Sequence, residues 1–219
     1  ALMPKRLIPS VEGYAQPDES GKLFAPAAAR NVAALTEVVA RLAPASGSAL
    51  EIASGTGQHV CSYAVALPDL RWQPTEIDAV RRTSIDARAA ESGLANIAPA
   101  RALDATAPGW STEVAPQDLI LLANLLHLVS REEAQTLINE AALALAPGGI
   151  FLVYGPFSRS GALTSEGDKA FDASIRAQDA QAGYKDDGEV IGMMEAAGLT
   201  WVETIEMPAN NLVLAARRD

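Results

Sequence analysis

The stretch Ala49-Leu50-Glu51-Ile52-Ala53-Ser54-Gly55-Thr56-Gly57-Gln58-His59 decides how this chain folds. A short apolar run enters a glycine turn, and Val60, Ala64 and Leu67 then mark one face of a helix. A strand that passes through glycines into a helix opens an α/β unit. Upstream, Val32, Leu35, Val38, Val39 and Leu42 recur at helical spacing from Pro26, and Pro44 with Gly47 ends that helix. Downstream the alternation repeats. Strands are expected over Leu70 to Glu76, Ile97 to Leu103, Asp118 to Ala123 and Ile150 to Tyr154. Helices are expected over Ala79 to Ser92, closed by Gly93, and over Arg131 to Ala146, with Ser130 and Glu133 as a capping box. Pro147-Gly148-Gly149 turns the chain into the fifth strand. After a long polar connection come helices near Phe171 to Gln181 and Glu189 to Ala197. Trp201 to Glu206 and Asn211 to Ala216 close the chain as an antiparallel hairpin at one sheet edge. Alternation of this kind predicts a doubly wound, Rossmann-like α/β fold with helices on both faces. Residues 1–25 read as an irregular arm and residues 26–219 as one domain.

Composition narrows the function. The chain has 219 residues and a net charge of −10, from 17 basic against 27 acidic side chains. Such a surface repels phosphate backbones and anionic membranes, so neither a nucleic acid nor a membrane is the expected partner. The only cysteine is Cys61, and there are two histidines, so a disulfide within the chain is excluded and no metal site is expected. Lys5 and Arg6 have no apolar core behind them, and no apolar run reaches the length of a membrane span. A cytoplasmic setting is the expectation.

Three strand ends carry the chemistry. At the first, Glu51 precedes the turn Ser54-Gly55-Thr56-Gly57, where glycines let a ligand approach the backbone. No Gly-Lys-Ser/Thr follows, so this is no Walker loop, and the absent third glycine makes a poor dinucleotide fingerprint. An acid beside the turn disfavours a pyrophosphate and suits a cationic amine. A tight turn with no ligand is the plainer alternative. At the second, Glu76 stands 19 residues beyond Gly57, where a carboxylate can accept from ribose hydroxyls. Asp78, directly before the helix, fits an ordinary helix-start acid better. At the third, Asp104 can accept from the exocyclic amine of adenine, or serve simply as a loop acid. The ordered set is more specific than any member.

These residues, with the Asp118 to Asn124 strand and Pro147-Gly148-Gly149, resemble the motifs of class I S-adenosylmethionine-dependent methyltransferases. Arg30-Asn31, Gly55-Thr-Gly-Gln-His59, Trp72-Gln-Pro, Tyr154-Gly-Pro-Phe157, Thr164-Ser165, Phe171-Asp172, Arg176 and Met207-Pro-Ala-Asn-Asn211 resemble one methyltransferase-like branch, long catalogued as a domain of unknown function. The resemblance spans roughly residues 20 to 219. It implies seven strands, the last antiparallel, with S-adenosyl-L-methionine lying across the strand ends. By position, Glu51, Ala53, Ser54, Gly55 and Gly57 would line the methionine part, and Arg30 would fork its carboxylate or stand as a solvated helix arginine. Glu76 and Ile77 would hold the ribose, Asp104 and Ala105 the adenine edge, and Asn124 the floor beneath the sulfonium. The chain departs from many branch members in having Thr75-Glu76 for Ser-Asp, and in a thinner stretch Ala180-Gln-Ala-Gly-Tyr184.

For the acceptor side, His127 is the candidate base, three residues past Asn124. Tyr154 is a second catalytic candidate, and with Phe157 it would wall a substrate pocket, unless Phe157 is simply a core anchor for its loop. Asp172 and Arg176, four apart on one helical face, are substrate-binding candidates or a plain surface ion pair. His59 is expected to be structural or to belong to the cofactor surroundings. No Asn-Pro-Pro-Tyr element follows the fourth strand, which argues against methylation of nucleic-acid bases and for a small-molecule acceptor. The expected activity is therefore methyl transfer to such an acceptor. Its alternatives are a non-catalytic protein that binds S-adenosylmethionine and a nucleotide-dependent oxidoreductase, the latter disfavoured by Glu51.

Overall fold

The structure is a computed structural model and describes residues 16–114 and 116–219. Most of the expected arm lies outside the described residues, and residues 16–25 form no helix or strand. The elements run α1 (Pro26–Leu42), β1 (Gly47–Ile52), α2 (Gln58–Ala66), β2 (Leu70–Pro74), α3 (Ala79–Ser92), β3 (Gln117–Ala123), α4 (Arg131–Ala144), β4 (Leu145–Pro156), α5 (Glu166–Gln178), α6 (Asp187–Ala196), β5 (Leu199–Glu206) and β6 (Asn211–Arg218).

Local chemistry sets the helix limits. Pro26 stands in the first turn of α1, where a missing N–H costs nothing. Asp78 caps α3 by accepting from Arg81 N–H at 2.9 Å, and Gly93 closes it at φ 67°. The capping box of α4 is present: Glu133 N–H donates to Ser130 Oγ at 3.1 Å, and Ser130 N–H to Glu133 Oε1 at 2.8 Å.

The strands form one mixed sheet in the order β2-β1-β3-β4-β6-β5. β1 to β4 run parallel, and β6 is antiparallel to both β4 and β5, so the late hairpin and the antiparallel last strand are observed. Successive residues of β3 enter two different cores. Ile120 and Leu122 pack with α4 and α6, while Leu119 and Leu121 pack with α1, α2 and Ile85 of α3. That alternation puts helices on both faces and explains why β3 is apolar throughout.

Among the described residues six strands are present where the resemblance implies seven. The segment Ile97 to Leu103 touches β2 only at isolated bridges, Trp72 with Ile97 and Thr75 with Arg101. Between them stands Pro99, which has no N–H to give to a ladder. Ala98 N–H reaches Trp72 O at 2.9 Å and Arg101 N–H reaches Pro74 O at 3.1 Å, so the pairing is interrupted, not lost. A second difference lies at Pro147-Gly148-Gly149. Instead of preceding the strand, this turn is taken into β4, whose register jumps from Leu145 opposite Gln117 to Ile150 opposite Leu119. Only glycine suits its last position, because a Cβ on Gly149 would sit 2.8 Å from Ala146 O and 2.9 Å from Gln117 O.

Candidate functional site

The parallel strands deliver their C-terminal ends to one rim. Thr75 stitches β1 to β2 there, its Oγ1 donating to Glu51 O at 2.8 Å, and Ser54 N–H donates to Thr75 O at 2.8 Å. Ala53 is held at φ 53° and Gly55 at φ 59°, so the chain turns sharply into α2. Gly57, at φ 88°, also answers a packing demand. A Cβ there would lie 2.8 Å from Ile85 Cα, so the glycine lets α3 approach the turn. Gly57→Ala should therefore cost about 3 kcal/mol in urea unfolding, from the left-handed backbone and the crowding together. An unchanged midpoint would refute that.

Two carboxyl groups occupy this rim, both nearly out of water. Glu76 is 2% exposed and works as an anion receptor turned inside out: Oε2 accepts from Gly55 N–H at 3.0 Å, and Oε1 from Ile77 N–H at 2.9 Å and Asp78 N–H at 3.3 Å. Oε2 thus keeps a lone pair for a further donor. Glu51 is 3% exposed, and its Oε1 has no hydrogen-bond partner among the described residues. Burial pushes its carboxyl up to about 8, a hydrogen bond from Ser54 opposes the rise, and the neighbouring Glu76 adds to it. Ile77 is on the exposed side of the same turn.

Asp104 and Ala105 follow the interrupted segment, whose Arg101 carbonyl accepts from Glu76 N–H at 3.0 Å. Asp104 Oδ1 accepts from Thr106 N–H at 3.1 Å and Thr106 Oγ1 at 2.6 Å, the pattern of a loop acid, while the Ala105 carbonyl receives Trp110 Nε1 at 3.0 Å. Across the rim, Asn124 takes φ 58° and its N–H donates to Tyr154 O at 2.9 Å. A Cβ placed on Gly155 would be 3.9 Å from both Asn124 Oδ1 and His127 Nδ1, so Asn124, Gly155 and His127 meet at one spot.

His127 sits in a short 3-10 turn, Leu126–Leu128, and is 4% exposed. Its ring lies 5.6 Å from Phe171 and 6.1 Å from Tyr184. Burial, with the Lys185 ammonium, lowers the imidazole to about 3, which makes it a weak proton acceptor near neutral pH. Neutral in this setting, the ring can offer hydrogen bonds to what lies before it. Tyr154 is 2% exposed, and its hydroxyl accepts from Asn211 Nδ2 at 2.9 Å and is also bonded by the Asn31 side chain. Burial raises the phenol and those bonds oppose the rise, so Tyr154 stays protonated at neutral pH.

Phe157 is 2% exposed within the core shared by α4 and α6, an anchor for its loop. Asp172 and Arg176 do pair, at 2.9 Å, but they also grip one backbone: Tyr184 N–H donates to Asp172 Oδ1 at 2.7 Å and Arg176 to Tyr184 O at 3.3 Å. They position Tyr184 against His127. Arg30 is exposed on α1, next to Asn31, whose Oδ1 lies 2.6 Å from His59 Nε2. That bond and stacking on Tyr63 account for His59 structurally, and burial lowers its imidazole to about 4. Sequence reasoning missed Lys185 and the part played by Tyr184. Among the described residues, no group of three or more His, Cys, Asp or Glu is arranged to hold a metal, and no helix is long and apolar enough to cross a membrane.

Comparison with known proteins supplies the family. The model of the family described as "Protein of unknown function (DUF938)" matches residues 22–218. A putative O-methyltransferase from Nostoc punctiforme PCC 73102 is similar in structure, with a TM-score of 0.74 at 20% identity over 84% of this chain and 55% of that one. An O-methyltransferase family 2 protein from Planctomyces limnophilus DSM 3776, in complex with apigenin, gives 0.69 at 20% identity over 86% and 62%. CalO1, a methyltransferase of calicheamicin biosynthesis in a form bound to S-adenosylhomocysteine, gives 0.69 at 17% over 85% and 54%. The chain thus spans little more than half the length of these structures. It belongs to the DUF938 family and has the fold of the class I methyltransferases.

Proposed function

We propose that the chain is an S-adenosylmethionine-dependent methyltransferase acting on a small-molecule acceptor. The observation that carries this reading is the pair of buried carboxyl groups, Glu51 and Glu76, on neighbouring strand ends beside one glycine turn. The orphaned Oε1 of Glu51 fits a cationic ammonium, and the remaining lone pair on Glu76 Oε2 fits a ribose hydroxyl. In the same reading, Ala53, Ser54, Gly55, Gly57 and Ile77 line the cofactor, and Asp104 with Ala105 meets the adenine. Asn124 would lie under the sulfonium, and Arg30 would meet the methionine carboxylate. When bound, S-adenosylmethionine supplies a methyl carbon already activated by a sulfonium leaving group. What the protein adds is alignment, which can supply several kcal/mol, on the order of ~7–11 in favourable cases.

On the acceptor side, His127 offers a neutral imidazole and Tyr154 a phenolic proton, neither of which removes a proton readily at pH 7. Phe157, Asp172 and Arg176 act from behind, by supporting the walls. The net charge of −10 favours a small metabolite over a nucleic acid, in a cytoplasmic setting. The two cores on opposite sheet faces favour a doubly wound topology. Calorimetric titration with S-adenosylhomocysteine should give saturable heat. Glu76→Ala, checked for folding by circular dichroism, should weaken it about a hundredfold, since it removes a charged acceptor from a buried site. No heat at millimolar ligand would sink the reading. The weak basicity of His127 favours a second possibility, binding without turnover, and product formation with thiol, amine, phenol and carboxylate acceptors decides between them.

A further inference from the structure

Residues 22–25, just before α1, lie against α2 and α3 without helix or strand structure of their own. Leu23 is 5% exposed; its N–H donates to Ser84 Oγ of α3 at 2.8 Å, and its carbonyl receives Arg88 Nη2. Ala25 N–H donates to Gln58 Oε1, at the start of α2, also at 2.8 Å. Both accepting atoms hold Thr56 as well, the middle residue of Gly55-Thr56-Gly57. Ser84 Oγ donates to Thr56 O at 2.8 Å, and Gln58 Oε1 accepts from Thr56 Oγ1 at 2.7 Å. Thr56 is thus gripped at its carbonyl and at its hydroxyl by two atoms, each shared with residues 22–25. Next to it, Gly55 N–H is the donor that reaches Glu76 Oε2. Beyond these bonds the segment is fastened by Lys22 with Glu91 at 2.5 Å, a surface pair of the kind that holds weakly. A segment tied down by so few contacts opens more readily than the sheet does.

We propose that residues 22–25 are a clasp whose closing is coupled to filling of the cofactor site, with Ser84 and Gln58 as positioning residues for the glycine turn. The inference rests on the methyltransferase reading and deepens it. A ligand seated on the turn favours one backbone arrangement there, and Thr56 passes that preference to the two shared atoms. Ser84 gives its single hydroxyl proton to Thr56 O, so its oxygen accepts from Leu23 N–H, and each bond strengthens the other. When the clasp lifts, the Ser84 hydroxyl and the Gln58 carbonyl each lose a neighbour that fixes them. By linkage, what the ligand does for the clasp, the clasp does for the ligand. Neither Ser84 nor Gln58 has to touch the cofactor for this.

The test follows hydrogen exchange of single amides by NMR in the whole chain, with and without saturating S-adenosylhomocysteine. The Leu23 and Ala25 amides should exchange about tenfold more slowly when it is bound. The Ser48 amide, bonded to Asp118 at the opposite end of β1, should change by less than about twofold. Equal slowing of all three would mark a gain in global stability and would overturn the proposal. So would unchanged exchange at Leu23 and Ala25, and neither comparison needs a variant to fold. Gln58→Ala should weaken S-adenosylhomocysteine about fivefold in calorimetry and cut the protection of Ala25 to about twofold. Gln58→Glu keeps the accepting oxygen and should retain both. Ser84→Ala should do to Leu23 what Gln58→Ala does to Ala25. A merely structural Gln58 would lower the melting temperature of Gln58→Ala and leave affinity and protection intact, which would also overturn the proposal. Saturable heat with S-adenosylhomocysteine alongside indifferent amides defeats this inference alone. Failure to bind S-adenosylhomocysteine defeats the methyltransferase reading and this inference with it.

Discussion

Between pH 6.5 and pH 4, His59 and His127 should together remove about 6 kcal/mol of folding stability, roughly 3 kcal/mol each. Burial lowers His59 to about 4, and burial with the Lys185 charge lowers His127 to about 3, against an ordinary 6.5. The sign follows from proton counting. Below pH 6.5 the unfolded chain binds protons that the folded rings refuse, so the unfolded state gains as the pH falls, until the folded rings also titrate. Urea unfolding of the wild type and of His59→Gln and His127→Gln at pH 6.5, 5 and 4 measures it. Each substitution should flatten the acid limb by its share. Variants whose profiles run parallel to the wild type would show that the buried rings titrate like exposed ones.

Glu51 acts in the opposite direction and over a different range. Its folded carboxyl sits at about 8 against an ordinary 4.5, chiefly through burial. Above pH 4.5 the unfolded chain releases a proton that the folded chain retains, so stability drops as the pH rises towards 8. The loss amounts to about 4 kcal/mol by pH 8.5. Glu51→Gln keeps the shape without the charge, and should be more stable than the wild type by that amount at pH 8.5 and similar to it near pH 4.5. Equal stability at both values would refute the burial argument. Over pH 6.5 to 4.5 the Glu51 contribution partly offsets the histidines, so stability should peak near pH 6.5. A carboxyl that weakens the fold at neutral pH makes sense as a ligand group, since sites of binding commonly sacrifice stability.

The fold was readable because its signals are local or periodic. Ser130 and Glu133 announced a capping box, Gly93 a helix end, and the uninterrupted apolar run of β3 a strand covered on both sides. The third strand differs because an apolar segment looks continuous in sequence, whereas its hydrogen-bond ladder is interrupted at Pro99 and resumes only at Arg101. At the site, the grouping of Glu51 with Glu76 was readable because strand ends of a parallel sheet converge. The state of each side chain was not. Lys185-Asp186-Asp187 has the look of a solvated charge run, and nothing local reveals that the lysine is buried against carbonyls 56 and 59 residues away. The low basicity of His127 comes chiefly from burial, with the Lys185 charge adding to it, and neither is written in the residues around it. Asp172 and Arg176 have the spacing of a surface pair, and their hold on Tyr184 exists only in three dimensions.

The proline that breaks the third segment has a consequence for how copies of the chain meet. Its flank of the sheet offers an intruding strand no unbroken row of backbone donors and acceptors, since Pro99 has no N–H to give and its carbonyl already accepts from Gln73 Nε2 at 2.9 Å. The opposite flank, β5, is kinked between Trp201 and Glu203, and Glu203 is tied to Arg41 at 2.8 Å. Both margins are therefore poor templates for fibril growth, and crowded molecules should remain separate where a flat apolar border would have recruited its neighbours.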